Sequence, residues 1–253
     1  MLKFKNSVIV ALVLATLVGF GTTYVTKVRS VNSLPQEKKM TNKQKEHSKL
    51  YKEDFKSRKG KKLTNIAATG IGNVSVIIPV ADGFQLEPTT PLNLHGFLKN
   101  LICDADAVVI GTVKSKSSHL TEEEEFIFTD YEMTVEEVLK DNSAASIQSR
   151  NIITATRGGG VLKINGRNVI AIDESLKPLE VNSRYLLFLR FVPNTSAYKA
   201  HKSKGSVQLN DHRIIKLTGE AVPRELDTGG NAATLINGIR SVVLSNCAKE
   251  DEK

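Results

Sequence analysis

Three side chains of types that bind metals or act in catalysis stand together in the stretch ICDADAVVIGTV, namely Cys103, Asp104 and Asp106. Thiolates and carboxylates ligate metal ions, and a thiolate is also a nucleophile. The apolar run over residues 107–113 follows directly and predicts a buried strand. The cluster is therefore either a metal or catalytic site, or the joint at which a helix meets the first strand of a sheet.

Histidines are the other common ligands and general bases, and the chain has five of them. No two of them follow a ligand spacing such as H-x-H or H-x-x-x-H, so the sequence predicts no zinc site, no other metal and no cofactor. These histidines are His47, His95, His119, His201 and His212.

Three further stretches resemble binding or catalytic motifs, but each is more simply interpreted as a turn, strand or loop. The acidic run TEEEEF (121–126) lacks the alternating oxygen ligands and the glycine of a calcium loop, so we expect a solvated hairpin tip. The stretch TRGGGVLK (156–163) lacks the phosphate-binding pattern G-x-x-x-x-G-K-[ST] and predicts a strand with a bulge or turn. The tetrad SAYK (196–199) matches S-x-x-K formally but lies in an expected loop without its companion motifs.

The positive charge of the chain is confined to its first quarter. Residues 1–62 contain 15 Lys or Arg against 4 Asp or Glu, although the whole chain carries a formal net charge of only +8. The remainder is therefore mildly acidic, which argues against a folded domain with a basic face for nucleic acid, and no nucleic-acid partner is expected.

Residues 1–26 are typical of a signal anchor or a cleaved signal peptide, because two lysines precede a long uncharged apolar stretch. No good cleavage site is present, which favours the anchor. We therefore expect this segment to insert into a membrane. The anchoring side chains would be those of Val8, Ile9, Val10, Leu12, Val13, Leu14, Leu17, Val18 and Phe20.

Residues 27–65 are rich in lysine and poor in aliphatic side chains, so they predict a disordered, solvated linker. Alternatively, the linker binds anionic lipid or an anionic envelope polymer. Its basic residues include Lys38, Lys39, Lys43, Lys45, Lys59, Lys61 and Lys62. This excess of positive charge after the apolar segment favours a cytoplasmic domain, yet long soluble segments are translocated largely regardless of charge.

The rest of the chain reads as six to eight strands between two amphipathic helices. Strands are predicted near residues 73–80, 107–113, 126–139, 151–161, 167–174 and 184–192, with a hairpin over 205–217. Helices are predicted over residues 90–105 and 231–247. The fold class is mainly β, a small antiparallel OB-like barrel flanked by two helices and preceded by the apolar helix and the basic linker.

The order CDADAVVIGTV, DYEMTVEEVLK, NIITAT and RYLLFL resembles the netrin-like domain of the tissue inhibitors of metalloproteinases, and also uncharacterised secreted bacterial domains of that kind. In that family the cysteine before the first strand bonds to one at the far end of the domain. The resemblance therefore implies a disulfide between Cys103 and Cys247, conditional on an oxidising compartment. The zinc-chelating Cys-x-Cys of those inhibitors is missing here, which puts inhibition by chelation in doubt.

From these observations we predict four segments: the anchor or signal (1–26), the linker (27–65), the OB or netrin-like domain (66–248) and a tail (249–253). The expected function is that of an exported, membrane-anchored, non-enzymatic binding domain with an unidentified protein partner. The domain would lie outside the cytoplasm in a single-pass protein, or be secreted if the segment is cleaved. Two alternatives stay open: a peptidase inhibitor acting through barrel loops, and a cytoplasmic-facing anchored protein whose linker binds polyanions.

Overall fold

The computed structural model describes residues 40–54, 61–69, 72–78, 94–141, 146–173, 178–200, 206–211, 213–217 and 230–245. All of them belong to one compact unit, Pro35–Lys253. The predicted anchor (1–26) and the tail (249–253) lie outside the described residues. Within the described residues, no helix is both long and apolar enough to cross a membrane.

The chain is mainly β, with ten strands and four helices among the described residues. The helices are α1 (Asn42–Asp54), α2 (Leu63–Thr69), α3 (Leu94–Asp104) and α4 (Ala232–Leu244). The strands are β1 (Val74–Ile78), β2 (Ala107–Leu120), β3 (Ile127–Lys140), β4 (Ile152–Gly158), β5 (Gly160–Ile164), β6 (Arg167–Asp173), β7 (Arg184–Val192), β8 (Ala197–Ala200), β9 (Ser206–Asn210) and β10 (Arg213–Leu217).

The strands form two mixed sheets. The larger follows the order β10-β9-β7-β2-β3-β4-β8, and the smaller follows the order β1-β6-β5. Strand β7 pairs with β8 as well as with β2, so the pairings of β2, β3, β4, β8 and β7 form a closed ring. Two pairs are parallel, β1 with β6 and β4 with β8, where the sequence had predicted an antiparallel arrangement.

Three apolar clusters stabilise this arrangement. Alternate residues of β2, such as Val109 and Val113, pack with the inner residues of β3, β4 and β7. The intervening residues Val108 and Ile110 face the other way, against α3 and α4. Successive side chains of a strand point to opposite faces, so a strand that is covered on both faces buries apolar residues at successive positions. The third cluster joins α1, α2, the small sheet and the far end of the β2–β3 hairpin.

Helices α1 and α2 differ from the solvated linker predicted for residues 27–65. Tyr51 of α1 is 2% exposed and Leu63 of α2 is 1% exposed, and both belong to the third cluster. The lysine-rich composition does not prevent folding here, because one tyrosine and a few aliphatic side chains on one face are sufficient when a sheet supplies the rest of the core. Residues 27–39 and 55–60 lie outside the described residues.

Candidate functional site

The stretch CDAD is the joint between α3 and β2. Lys140 Nζ of β3 donates to the carbonyl oxygens of Ile102 and Ala105 at 2.7 and 2.6 Å, which caps the carboxyl end of α3. Asp106 Oδ2 accepts a hydrogen bond of 2.8 Å from the backbone N–H of Phe191 on β7. Burial lowers the pKa of Lys140, while the charges of Asp106 and Asp104 oppose that shift. These contacts attach a helix to two strands, so the residues of the joint act structurally.

Cys103 is a half-cystine and not a free thiol. It lies in the last turn of α3, directly before the joint. Its expected partner, Cys247, lies outside the described residues, and the Cys103–Cys247 pairing therefore stays a prediction.

Helix α1 covers the outer face of β3 and β4. Lys43 Nζ donates to Thr154 Oγ1 at 3.2 Å, and the hydroxyls of Tyr51 and Thr156 are 3.1 Å apart. The Tyr51 ring stacks on Phe128, with 5.4 Å between centroids and 18° between planes. On β8, Lys199 Nζ lies 5.2 Å from the centroid of the same tyrosine ring. The contacts run the length of the helix, so α1 is an integral layer of the domain.

The candidate site is the cluster of His47, His119 and Asp130 beneath α1. His47 Nδ1 lies 3.0 and 3.1 Å from the two carboxylate oxygens of Asp130, and the His47 side chain is fully buried. His119 Nε2 is 3.9 Å from Asp130 Oδ2, and this histidine is 8% exposed. Both imidazole rings contact Phe128, with centroid separations of 6.5 and 5.3 Å. Because an ionised carboxylate only accepts hydrogen bonds, His47 must carry a proton on Nδ1.

The contact with Gln44 of α1 determines which form of the His119 ring fits the site. The Gln44 amide nitrogen is 3.1 Å from His119 Nε2. Its Oε1 accepts from the backbone N–H of Thr41 at 2.9 Å, and Thr41 Oγ1 accepts from the N–H of Gln44 at 3.3 Å. This reciprocal pair is a capping box at the start of α1. The amide oxygen is thereby engaged, the NH₂ group points at the ring, and His119 Nε2 must be the unprotonated acceptor.

The electrostatics of His119 agree with that assignment. Burial is the largest influence and lowers the pKa of His119 from its usual value near 6.5; the charge of His47 lowers it further, while Asp130 acts in the opposite direction. The neutral imidazole is therefore the form that the folded site favours at neutral pH.

The acidic run of the β2–β3 turn contacts α1 and α2, where the sequence had predicted a solvated tip. The N–H of Glu122 donates to Ser48 Oγ of α1 at 2.9 Å, and Lys45 Nζ lies 3.5 Å from Glu122 Oε1. Glu124 accepts from the Thr64 hydroxyl of α2 at 2.8 Å and lies 3.5 Å from Lys62 Nζ. Exposed ion pairs stabilise little by themselves, so these contacts mainly orient the helices.

Among the predicted basic-linker residues, Lys43, Lys45 and Lys62 make these intramolecular contacts, and Lys61 is exposed. Lys38, Lys39 and Lys59 lie outside the described residues. The contacts of Lys45 and Lys62 are ion pairs with Glu122 and Glu124, which partly offset the positive charge of the two helices, whereas Lys43 keeps its charge beside a neutral hydroxyl.

The remaining sequence candidates are spread across the domain. His95 is exposed on α3, whereas His201 and His212 lie outside the described residues. The SAYK tetrad contributes β8, the strand that closes the ring, where a loop had been expected. Strand β4 ends at Gly158, and Gly159 and Gly160, the first residue of β5, have φ of +90° and +148°, so the strand is interrupted at the glycines where a bulge or turn was predicted. Within the described part of the chain, no three His, Cys, Asp or Glu side chains are placed to hold a metal ion.

Sequence reasoning missed the histidine cluster because its three members come from separate elements. His47 and His119 are far apart in the chain, and only the docking of α1 on β2 and β3 brings them to one carboxylate. One signal was present, since T-x-x-Q at Thr41 and Gln44 predicts a helix start and thereby places His47 and Tyr51 one turn apart on one face.

A histidine oriented by a carboxylate is the arrangement used by general bases. Here, however, the rings lie under α1 and against Phe128, so no substrate reaches them while the helix is docked. In this state the cluster can hold α1 against β2 and β3. The strength of that contact can depend on whether the histidines are protonated. The chain matches no protein-family model, and no curated protein is similar to it.

Proposed function

We propose that this chain is an exported binding domain of OB type, tethered at a membrane by its N-terminal segment. The observation that carries the proposal is the closed ring of five strands, with β4 and β8 parallel and the other ring pairs antiparallel. Such a ring fits a five-stranded Greek-key barrel, a fold used widely for binding oligomers and polymers. Fold alone does not assign a partner, so the proposal is limited to binding.

The netrin-like resemblance supports the same proposal. Cys103 is a half-cystine at the end of the helix that precedes the first ring strand, which is where that family places a bonded cysteine. Disulfides persist in oxidising compartments, and this favours export over a cytoplasmic location. The apolar residues between Val8 and Phe20 would supply the tether, or the export signal if the segment is cleaved.

Two measurements on intact cells test export and the disulfide together. A membrane-impermeant protease is added outside the cell, and free thiols are then counted in the denatured, unreduced protein. We expect the domain to be cleaved or shed and no thiol to react. Protection from the protease together with two reactive thiols would overturn the proposal and restore the cytoplasmic alternative.

Binding itself is tested separately with the purified full chain. Surface proteins and anionic polymers of the producing cell are immobilised, and retention is compared between the wild type and an Ile152→Asp variant. Ile152 is 69% exposed at the edge of the face that α1 covers, so the charge should not disturb folding. Saturable retention that the variant reduces supports a binding surface there, whereas retention by neither protein contradicts it.

A further inference from the structure

We propose that α1 is an acid-released cover over the outer face of β3 and β4, and that protonation of His119 releases it. The proposal rests on the contacts of α1 and does not depend on the proposed function. The face in question presents Phe128, Asp130, Thr154 and Thr156, all of which α1 contacts in the docked state.

The hydrogen bond between Gln44 and His119 links the protonation of His119 to the start of α1. Because the capping box engages Gln44 Oε1, the side chain can offer only its NH₂ group to the ring at 3.1 Å. A protonated His119 carries an N–H at the same nitrogen, and two donors would then face each other. Turning the amide to accept that proton removes its bond to Thr41 and weakens the start of α1.

Asp130 does not compensate for the positive charge that protonation places on His119. Its carboxylate is 3.9 Å from His119 Nε2 and already accepts from His47 at 3.0 and 3.1 Å. Further charges near α1 are those of Lys43, Lys45, Glu46 and Lys49 on the helix itself, Glu122 in the turn and Lys199 on β8, and Glu132 of β3 lies opposite Thr154 in the sheet. Most of these side chains are positive, and Glu46, Glu122 and Glu132 are each engaged with another group.

Undocking of α1 gives the buried ring nitrogens of His47 and His119 access to water. His47 Nε2 is buried and has no hydrogen-bond partner among the described residues. Burial lowers the pKa of His119 in the docked state, so the undocked state takes up a proton more readily. Docking is therefore strongest above the ordinary histidine pKa near 6.5 and weakens as the pH falls below it.

Hydrogen exchange on the full chain measures this directly. Exchange of the α1 amides, corrected for intrinsic rates, is compared at pH 7.5 and pH 5.0 with that of β7. We expect α1 exchange to accelerate about tenfold for each unit by which the pKa of His119 rises on undocking, while β7 stays protected. Equal protection of α1 at both pH values, or equal loosening of α1 and β7, would overturn the proposal.

Two variants and one control identify the responsible groups. Gln44→Glu keeps the capping box and gives protonated His119 an acceptor, so α1 should stay protected at pH 5.0. His119→Gln offers an amide oxygen that does not titrate, and it should abolish the acid effect. The matched control His95→Gln changes an exposed histidine of α3 and should behave as the wild type. Acid release that persists unchanged in His119→Gln, or is unaltered by Gln44→Glu, contradicts the proposal.

A measurement on the wild type keeps the test valid if a variant does not fold. The imidazole resonance of His119 is titrated by NMR, and its midpoint should coincide with the midpoint of α1 release. A midpoint well separated from that of release would assign the acid effect to another group.

Discussion

Asp130 lies on the outer face of β3, where strict alternation with buried neighbours predicts a carboxylate in water. Its side chain is 12% exposed because α1 covers that face and brings His47 to both carboxylate oxygens. Lys140 shows the same dependence, since its ammonium group caps a helix that ends more than thirty residues earlier. At the scale of single residues, the contacts of a polar side chain depend on which element, remote in sequence, packs against it.

Gly111 of β2 is predicted to be intolerant of a methyl group. A Cβ there would overlap the carbonyl oxygen of Thr134 and lie 2.9 Å from Met133 Cγ, so Gly111→Ala should lower the free energy of unfolding by about 1–3 kcal/mol. The measurement is urea denaturation. Gly238→Ala in α4 is the control, because its Cβ would meet only the flexible Leu98 side chain at 3.0 Å and helix propensity improves. Equal losses in both variants would contradict the prediction.

Helix α1 is the element whose behaviour departs most from its composition. Its polar and basic sequence makes a weak isolated helix, and its stability comes from one buried face and the capping box. The β2–β3 turn contributes a further contact, since the N–H of Glu122 donates to Ser48 Oγ of α1. A helix of this kind is stable only while it is docked, so the proposed change of charge at His119 would act on its docking equilibrium.

Tyr51 tests how strongly α1 is anchored. Tyr51→Phe removes the hydroxyl that lies 3.1 Å from that of Thr156 and should cost about 1 kcal/mol, whereas Tyr51→Ala also removes the buried ring and should cost about 3–5 kcal/mol. Hydrogen exchange of α1 and global urea denaturation report the local and overall effects. If Tyr51→Ala leaves α1 protected, the stacked ring is not the anchor that its burial indicates.

At the scale of the whole molecule, the ring of strands joins segments that are remote in sequence. Strand β8 pairs with β4 and β7, and β1 pairs in parallel with β6, so that Val74 lies opposite Val169. The predicted Cys103–Cys247 bond would tie α3 to the chain beyond α4, on the side of the sheet where these helices pack. A cross-link of that span restricts the unfolded chain more than a local one would.

We predict that the bond between Cys103 and Cys247 stabilises the domain. Its loop spans 145 residues inclusively, and chain entropy sets an upper value of about 4–5 kcal/mol for the stabilisation. Cys103→Ser, Cys247→Ser and the double variant should therefore lose similar amounts of stability in urea. Peptide mapping of the unreduced protein should recover the two cysteines linked. Free Cys247 in the folded wild type would contradict the pairing.

Alkaline pH is predicted to unfold the domain through the tyrosines of the strand ring. Burial raises the pKa of Tyr198 to about 12, and it also raises the pKa of Tyr131 and of Tyr185. The folded state therefore keeps protons that the unfolded chain releases near pH 10, and stability falls as the pH rises from about 10 towards 12.

Tyrosinate absorbance and circular dichroism, followed together during an alkaline titration, check this prediction. The two signals should change in one transition for the wild type. Tyr198→Phe should shift the loss of structure to higher pH, since one ionising group is removed. Ionisation of all tyrosines near pH 10 without loss of structure would show that these side chains are exposed.

Most strands and two helices follow from local patterns. Alternation and short apolar runs predicted β1 to β4, β6, β7 and the β9–β10 hairpin, and helical spacing predicted α3 and α4, all of which are confirmed. Strand β5 was not predicted, because only a bulge or turn was expected after β4. The sequence missed β8, which has four residues and no alternating pattern, as well as α1 and α2. It also missed the parallel pairings, because register between remote strands depends on packing and not on local periodicity.

The sequence by itself determined the mainly β class, the helices beside the joint and the distribution of charge, because these depend on side-chain periodicity and composition. Only the tertiary structure decided that a lysine-rich segment forms a helix on β3 and β4, and that His47, His119 and Asp130 meet there. The physical reason is burial: a marginal helix and three separated polar groups become stable together only on a surface that the rest of the fold supplies.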